Sequence, residues 1–177
     1  MTIYINTDGG SRGNPGPAGY GAVATNAAGD VLMEISEYIG TATNNVAEYS
    51  AVVDALETIA SLDLDDPVVV RADSKLVVEQ LSGRWKIKNP AMQELALRAR
   101  RALPGHRVRF EWVPRAQNSA ADKLANEAMD SQKSRRSGAL LVPASGLPAV
   151  SAHEEAALDA PALRRPVAEQ WDSDTLF

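Results

Sequence analysis

The chain has 177 residues, 45% of them apolar, with no cysteine, two histidines and a formal net charge of −5. That composition gives one domain with an ample core and room for an appendage, and it excludes disulfides, thiolate metal sites, cysteine nucleophiles and a histidine-rich zinc site. The charge argues against a generally basic nucleic-acid binder but leaves room for a local basic strip; no apolar run reaches membrane-spanning length and no signal-peptide pattern opens the chain, so a soluble cytoplasmic monomer with no membrane partner is the expectation.

Residues 2–8 alternate and are rich in β-branched side chains, which predicts a strand. GGSRGNPGP, residues 9–17, reads as a turn-forming loop. Tyr20 to Thr25 is a second strand, NAAGD a hairpin turn, and Val31 to Ile39 a third strand. From Thr43 the period changes. Tyr49, Val52, Val53, Leu56, Ile59 and Ala60 follow helical spacing, with Thr43 or Asn44 as cap. Pro67 leads into VVVRA, a short apolar run of the kind found in strands buried on both faces. Ser74 to Leu81 predicts a short helix. Asn89–Pro90 opens another, to about Leu103. Arg107 to Val113 alternates as a last strand, and a final helix runs from about Ser119 to Met129.

After Asp130 the composition shifts to Ala, Pro, Ser and Leu without an amphipathic period. Residues 1–130 therefore read as the folded domain. Residues 131–177 read as a tail or linker, mostly disordered, with Arg135–Arg136 and Arg164–Arg165 as its ordinary charge. The element order β-β-β-α-β-α-α-β-α predicts an α/β fold whose first three strands form an antiparallel meander. The first helix is then a crossover that returns VVVRA parallel to the first strand. Asp8 and Asp73 would both lie at carboxyl ends of parallel strands, where open α/β sheets bind ligands.

Asp8, Glu48, Asp73 and Asp122 are the candidate site. Singly, each has an ordinary explanation. Asp8 precedes a glycine as turn residues do, Glu48 lies just outside the apolar stripe of its helix, Asp73 is placed to cap a helix, and Asp122 complements a helix dipole. Together, strand-end and helix-face positions can converge. Converging carboxylates repel by about 4 kcal/mol per pair at ~4 Å and an effective dielectric near 20. Gathering four of them implies a bound cation, and hard oxygen ligands point to Mg²⁺ or Mn²⁺.

The stretches TDGGSRGNPGPAGYG, TATNNVAEYSAVVDALE, VRADSKLVVEQL and EWVPRAQNSAADKLANEA resemble the type 1 ribonuclease H family, in the family order and across residues 1–130. They resemble in particular the N-terminal ribonuclease H domain that actinobacterial proteins join to a phosphatase domain. No Arg-His-Gly phosphatase motif occurs here, so no phosphatase activity is carried over. The resemblance implies a ribonuclease H-like fold with a mixed five-stranded sheet, three antiparallel strands then two parallel, flanked by helices. It implies hydrolysis of the RNA strand of RNA–DNA hybrids, leaving 5′-phosphate and 3′-hydroxyl ends, with two Mg²⁺ ions per site and Mn²⁺ able to substitute. Asp8 and Asp122 would hold one ion. Asp8, Glu48 and Asp73 would hold the other.

By the same resemblance Gly10, Ser11, Asn14, Asn44 and Asn45 lie along the hybrid's minor groove, where 2′-hydroxyls distinguish RNA from DNA. Thr43 would meet phosphate of the DNA strand. The sequence departs from the family pattern in three places. Arg115 stands in a short loop where many members carry a histidine, and an arginine cannot shuttle a proton at neutral pH. Lys75 stands where some members have Gln. The long basic protrusion of some bacterial members is reduced to GRWKIKNP, in which Trp85, Lys86 and Lys88 remain as candidate substrate contacts. The loop with Arg115 keeps double-stranded RNA open as a second substrate. The competing reading is a catalytically silent nucleic-acid-binding module. It is disfavoured because binding alone gains nothing from carboxylates facing phosphates.

Overall fold

In the computed structural model, which describes residues 1–141, the strands β1 (Ile3–Ser11), β2 (Gly16–Thr25), β3 (Val31–Ala42), β4 (Val68–Ala72), β5 (Val108–Trp112) and β6 (Arg135–Ser137) form one mixed sheet in the order β5-β4-β1-β2-β3-β6. The first three strands are an antiparallel meander. β4 runs parallel to β1, from Ile3↔Val68 to Thr7↔Ala72, and β5 runs parallel to β4. The sheet thus has the expected topology with six strands where five were expected.

The helices are α1 (Asn44–Ser61), α2 (Lys75–Leu81), α3 (Pro90–Ala102) and α4 (Ser119–Ser131). Thr43 caps α1 by accepting from Val46 N at 3.3 Å. Ser74, not Asp73, caps α2 through Val77 N. Asn89 caps α3, with Pro90 in its first turn. These caps satisfy amide donors that a helix leaves unpaired at its start.

Alternation along β1 decides which helix meets which residue. Ile3 and Ile5 are fully buried in a core with Tyr49, Val52, Leu56 and Ile59 of α1 and Leu95 and Ala99 of α3. The opposite face carries Asn6, whose amide donates to Asn118 Oδ1 at 3.0 Å where α4 begins. α4 buries Ala121, Leu124, Ala125, Ala128 and Met129.

Residues 9–11, expected in a loop, continue β1, and β2 starts at Gly16. The glycines that suggested a loop serve close helix packing. A side chain on Gly9 would stand 2.3–2.6 Å from backbone atoms of Ala47 and Glu48, and one on Gly21 would meet Ala121 O at 2.4 Å. Glycine inside a strand marks such close backbone approach.

The ordered chain also passes the boundary expected at residue 130. β6 pairs antiparallel with β3, from Glu34↔Ser137 to Ser36↔Arg135. Arg136 grips Asp54 of α1 at 2.7 and 2.9 Å and Glu37 at 3.3 Å. Arg135 pairs with Glu127 of α4. The first arginine pair is therefore structural rather than idle charge. The expectation of a mostly disordered tail otherwise falls on residues 142–177, which lie outside the described residues.

Candidate active site

The carboxyl ends of β1, β4 and β5 open into a cleft of about 560 Å³, lined among others by Asp8, Glu48, Asp73 and Asp122. The parallel register that pairs Thr7 with Ala72 sets Asp8 beside Asp73. Glu48 reaches the same place because α1 lies directly against Gly9. Asp122 is brought by α4, whose start is fixed by a buried asparagine. Asn118 is 1% exposed, accepts from Asn6, and donates to Thr7 O at 2.9 Å.

The electrostatics are those of crowded, unneutralised acids. Burial first, then Asp73, Asp122 and Glu48, push the Asp8 carboxyl from its ordinary 3.8 up to about 8. Burial also raises Glu48, with Asp73 adding to it and a hydrogen bond from the Ser74 hydroxyl acting against it. Arg115 supplies the compensating charge. Its Nη2 donates to Asp122 Oδ1 at 2.9 Å, and Asp122, then Asp8 and Asp73, hold its guanidinium pKa above the ordinary value.

The donor set suits a hard divalent cation: carboxylate oxygens, half-buried, with too little positive charge among them. Among the described residues, however, no three acidic or histidine side chains already close to metal-ligand spacing.

The remaining predicted contacts divide in two. Gly10, Ser11, Asn44 and Arg115 line the cleft. Asn14 and Asn44 spend their side-chain oxygens on the fold: Asn14 Oδ1 accepts from Asn44 N at 3.1 Å, and Asn44 Oδ1 accepts from Ser11 N at 2.8 Å. The buried Ser11 hydroxyl has no partner among the described residues. Thr43 holds its helix cap, and Asn45 is exposed on the first turn of α1. Lys75, Trp85, Lys86 and Lys88 are exposed and lie outside the cleft lining.

Two polar cleft residues, Trp112 and Asn126, escaped the sequence reading. Trp112, 51% exposed, donates from Nε1 to Asp73 O at 3.1 Å and stands beside the acids. Asn126 donates to Asp122 Oδ2 at 3.2 Å. Arg12 donates to Asn126 Oδ1 at 2.9 Å and pairs with Asp130 at 2.7 Å. Trp112 ends a strand that alternation had already predicted, so an exposed aromatic beside a strand-end acid was the available signal. Nothing in the spacing marks Asn126.

Residues 6–128 match the family described as reverse transcriptase-like. The chain is 52% identical over 132 residues to the bifunctional protein Rv2228c of Mycobacterium tuberculosis, covering 73% of this chain and only 36% of that relative's length. Against the solved N-terminal ribonuclease H domain of that protein it is 51% identical, covers 73% of this chain and 100% of that one, and gives a TM-score of 0.70. The chain belongs to the ribonuclease H family. It is also similar to LC11-RNase H1, an enzyme isolated from compost and crystallised with an RNA/DNA hybrid: 44% identical, 73% of this chain, 98% of that chain, TM-score 0.69.

Proposed function

We propose that this chain is a divalent-metal-dependent endonuclease that hydrolyses the RNA strand of RNA–DNA hybrids. The observation that carries the proposal is the meeting of four acids, from β1, α1, the end of β4 and α4, in one cleft beside the last residues of β1. A relative of similar fold crystallised on a hybrid supports the substrate class.

Asp8, Glu48, Asp73 and Asp122 would hold two Mg²⁺ ions, or Mn²⁺ in their place, with Asp8 as the shared ligand. When bound, the ions supply Lewis-acid activation of a water and charge neutralisation at phosphorus. The chain's own residues do the rest. Asn126 and Asn118 orient Asp122, and Ser74 steadies Glu48. Gly10, Ser11 and the amide donors of Asn14, Asn44 and Asn45 present hydrogen bonds to ribose hydroxyls. Thr43 meets phosphate of the DNA strand through its hydroxyl proton. Lys75, Trp85, Lys86 and Lys88 extend the contact surface beyond the cleft. The water gives up a proton to solvent as its oxygen bonds to phosphorus and the bond to the 3′-oxygen breaks, and the 3′-oxygen takes a proton from solvent as it leaves. The products carry 5′-phosphate and 3′-hydroxyl ends. A monomeric state and cytoplasmic location belong to the same proposal, on the sequence reading alone.

Arg115 in place of a titrating group keeps double-stranded RNA as a second candidate substrate. The test incubates end-labelled hybrid, duplex RNA and duplex DNA with the protein and Mg²⁺. Internal cuts in the RNA of the hybrid, lost in chelator, are expected. Tight hybrid binding without cleavage would favour the silent binding module.

A further inference from the structure

Both oxygens of the Asp122 carboxylate are engaged, by restraints of different kinds. Oδ2 accepts from Asn126 one turn further along α4, and Asn126 is braced by Arg12, itself anchored on Asp130. That restraint is a network tying the helix to the end of β1. Oδ1 accepts from Arg115 at 2.9 Å. Arg115 belongs to the short turn Arg115–Gln117 ahead of α4, and its side chain is 78% exposed. Beyond the Asp122 contact it makes no side-chain hydrogen bond among the described residues. It is an arm held at one end by the backbone and at the other by this carboxylate.

We propose that Arg115 is a built-in counter-cation that competes with a divalent ion for Asp122, and that its guanidinium swings away when that carboxylate joins the metal ligands. The inference rests on the metal-dependent reading of the cleft. A guanidinium does not deprotonate at working pH, so only displacement, never titration, clears the oxygen. The exchange is light. Exposed ion pairs are weak, so the competition lowers ion affinity by roughly two- to fivefold rather than blocking it. In return, Asp122 stays fixed near Asp8 without adding its full charge to the acids already crowded there. The Asn126 brace is untouched by the exchange, so the carboxylate keeps its place while its partner changes.

The test is Mn²⁺ binding, followed by electron paramagnetic resonance of the unbound ion, to the full chain stripped of metal. Four proteins are compared: wild type, Arg115→Ala, Asp122→Asn and the double variant, each checked for folding by circular dichroism. Arg115→Ala should tighten Mn²⁺ binding two- to fivefold. In the Asp122→Asn background the same change should have no effect, because the contested carboxylate charge is gone. Unchanged affinity in Arg115→Ala would overturn the exchange. Equal tightening with and without the Asp122 carboxylate would also overturn it, by reducing Arg115 to a remote positive charge. Failure of the wild type to bind Mn²⁺ at all would refute the metal reading of the cleft itself, and the exchange with it.

Discussion

Replacing Asp8 by Asn should stabilise the metal-free protein at neutral pH. Asp8 titrates from 3.8 to about 8 on folding, chiefly through burial and then through Asp73, Asp122 and Glu48. A carboxyl whose folded pKa lies above its unfolded value binds more protons in the folded chain. It therefore costs nothing below the unfolded value, costs progressively more as pH rises toward the folded value, and levels off above it. At pH 7 the undiscounted cost is about 4 kcal/mol. Partial solvent exposure and sharing of charge among the acids reduce it to about 1–3 kcal/mol. Asn keeps the volume and hydrogen-bonding shape and carries no charge. In EDTA, Asp8→Asn should thus raise Tm by roughly 3–10 °C at pH 7, and the gain should shrink toward zero near pH 4. The assay is thermal unfolding of both proteins from pH 4 to 8, read as their difference so that other groups cancel. Added Mg²⁺ should stabilise the wild type alone and narrow the gap. A difference independent of pH, or a variant less stable than wild type at pH 7, would refute the view that these carboxylates repel one another in a cleft built for cations.

Other outcomes follow from particular residues. Arg136→Ala should lower stability by about 1–2 kcal/mol, because it strands the half-buried Asp54 and Glu37; chemical denaturation checks this, and truncation after Ser131 should cost at least as much. Trp112→Ala should raise KM for hybrid more than it lowers kcat if the exposed indole meets substrate, and loss of its contribution to tryptophan quenching on hybrid addition is the second readout. Lys86→Ala with Lys88→Ala should flatten the log–log salt dependence of hybrid binding, by roughly 0.7–0.9 for each phosphate no longer neutralised; an unchanged slope in titrations at several salt concentrations would assign the binding surface to the cleft residues alone.

The strand directions were legible from local, repeated signals, and the four acids from their joint order along the chain together with the family resemblance. VVVRA announces a buried parallel strand, Pro90 after Asn89 a helix start, and the strand-end positions of Asp8 and Asp73 follow once the crossover is assigned. What was illegible depends on partners distant in sequence. Gly9 and Gly21 look like loop residues until α1 and α4 are laid against them. β6 has three residues and no period to detect, and its arginines acquire meaning only from Asp54, Glu37 and Glu127. Of the basic residues between positions 84 and 101, three are already engaged: Arg84 pairs with Glu79, Arg98 with Glu57, and Arg100 donates to Gln80 O. Charge along a sequence shows where cations are, and only the fold shows which are already taken. Asn118, in the position of a helix cap, turns its side chain to β1 instead of its own helix.

The central claim is that the four acids act as one catalytic set on hybrid RNA. Single-turnover cleavage of a hybrid with 5′-labelled RNA, in saturating Mg²⁺, tests it most directly when run on wild type, Asp8→Asn, Glu48→Gln, Asp73→Asn and Asp122→Asn, each shown to be folded. The account predicts internal RNA cuts with 3′-hydroxyl ends in the wild type and losses of at least a hundredfold in every variant, deepest for Asp8→Asn. Near-wild-type turnover in a folded Asp8→Asn variant would contradict it.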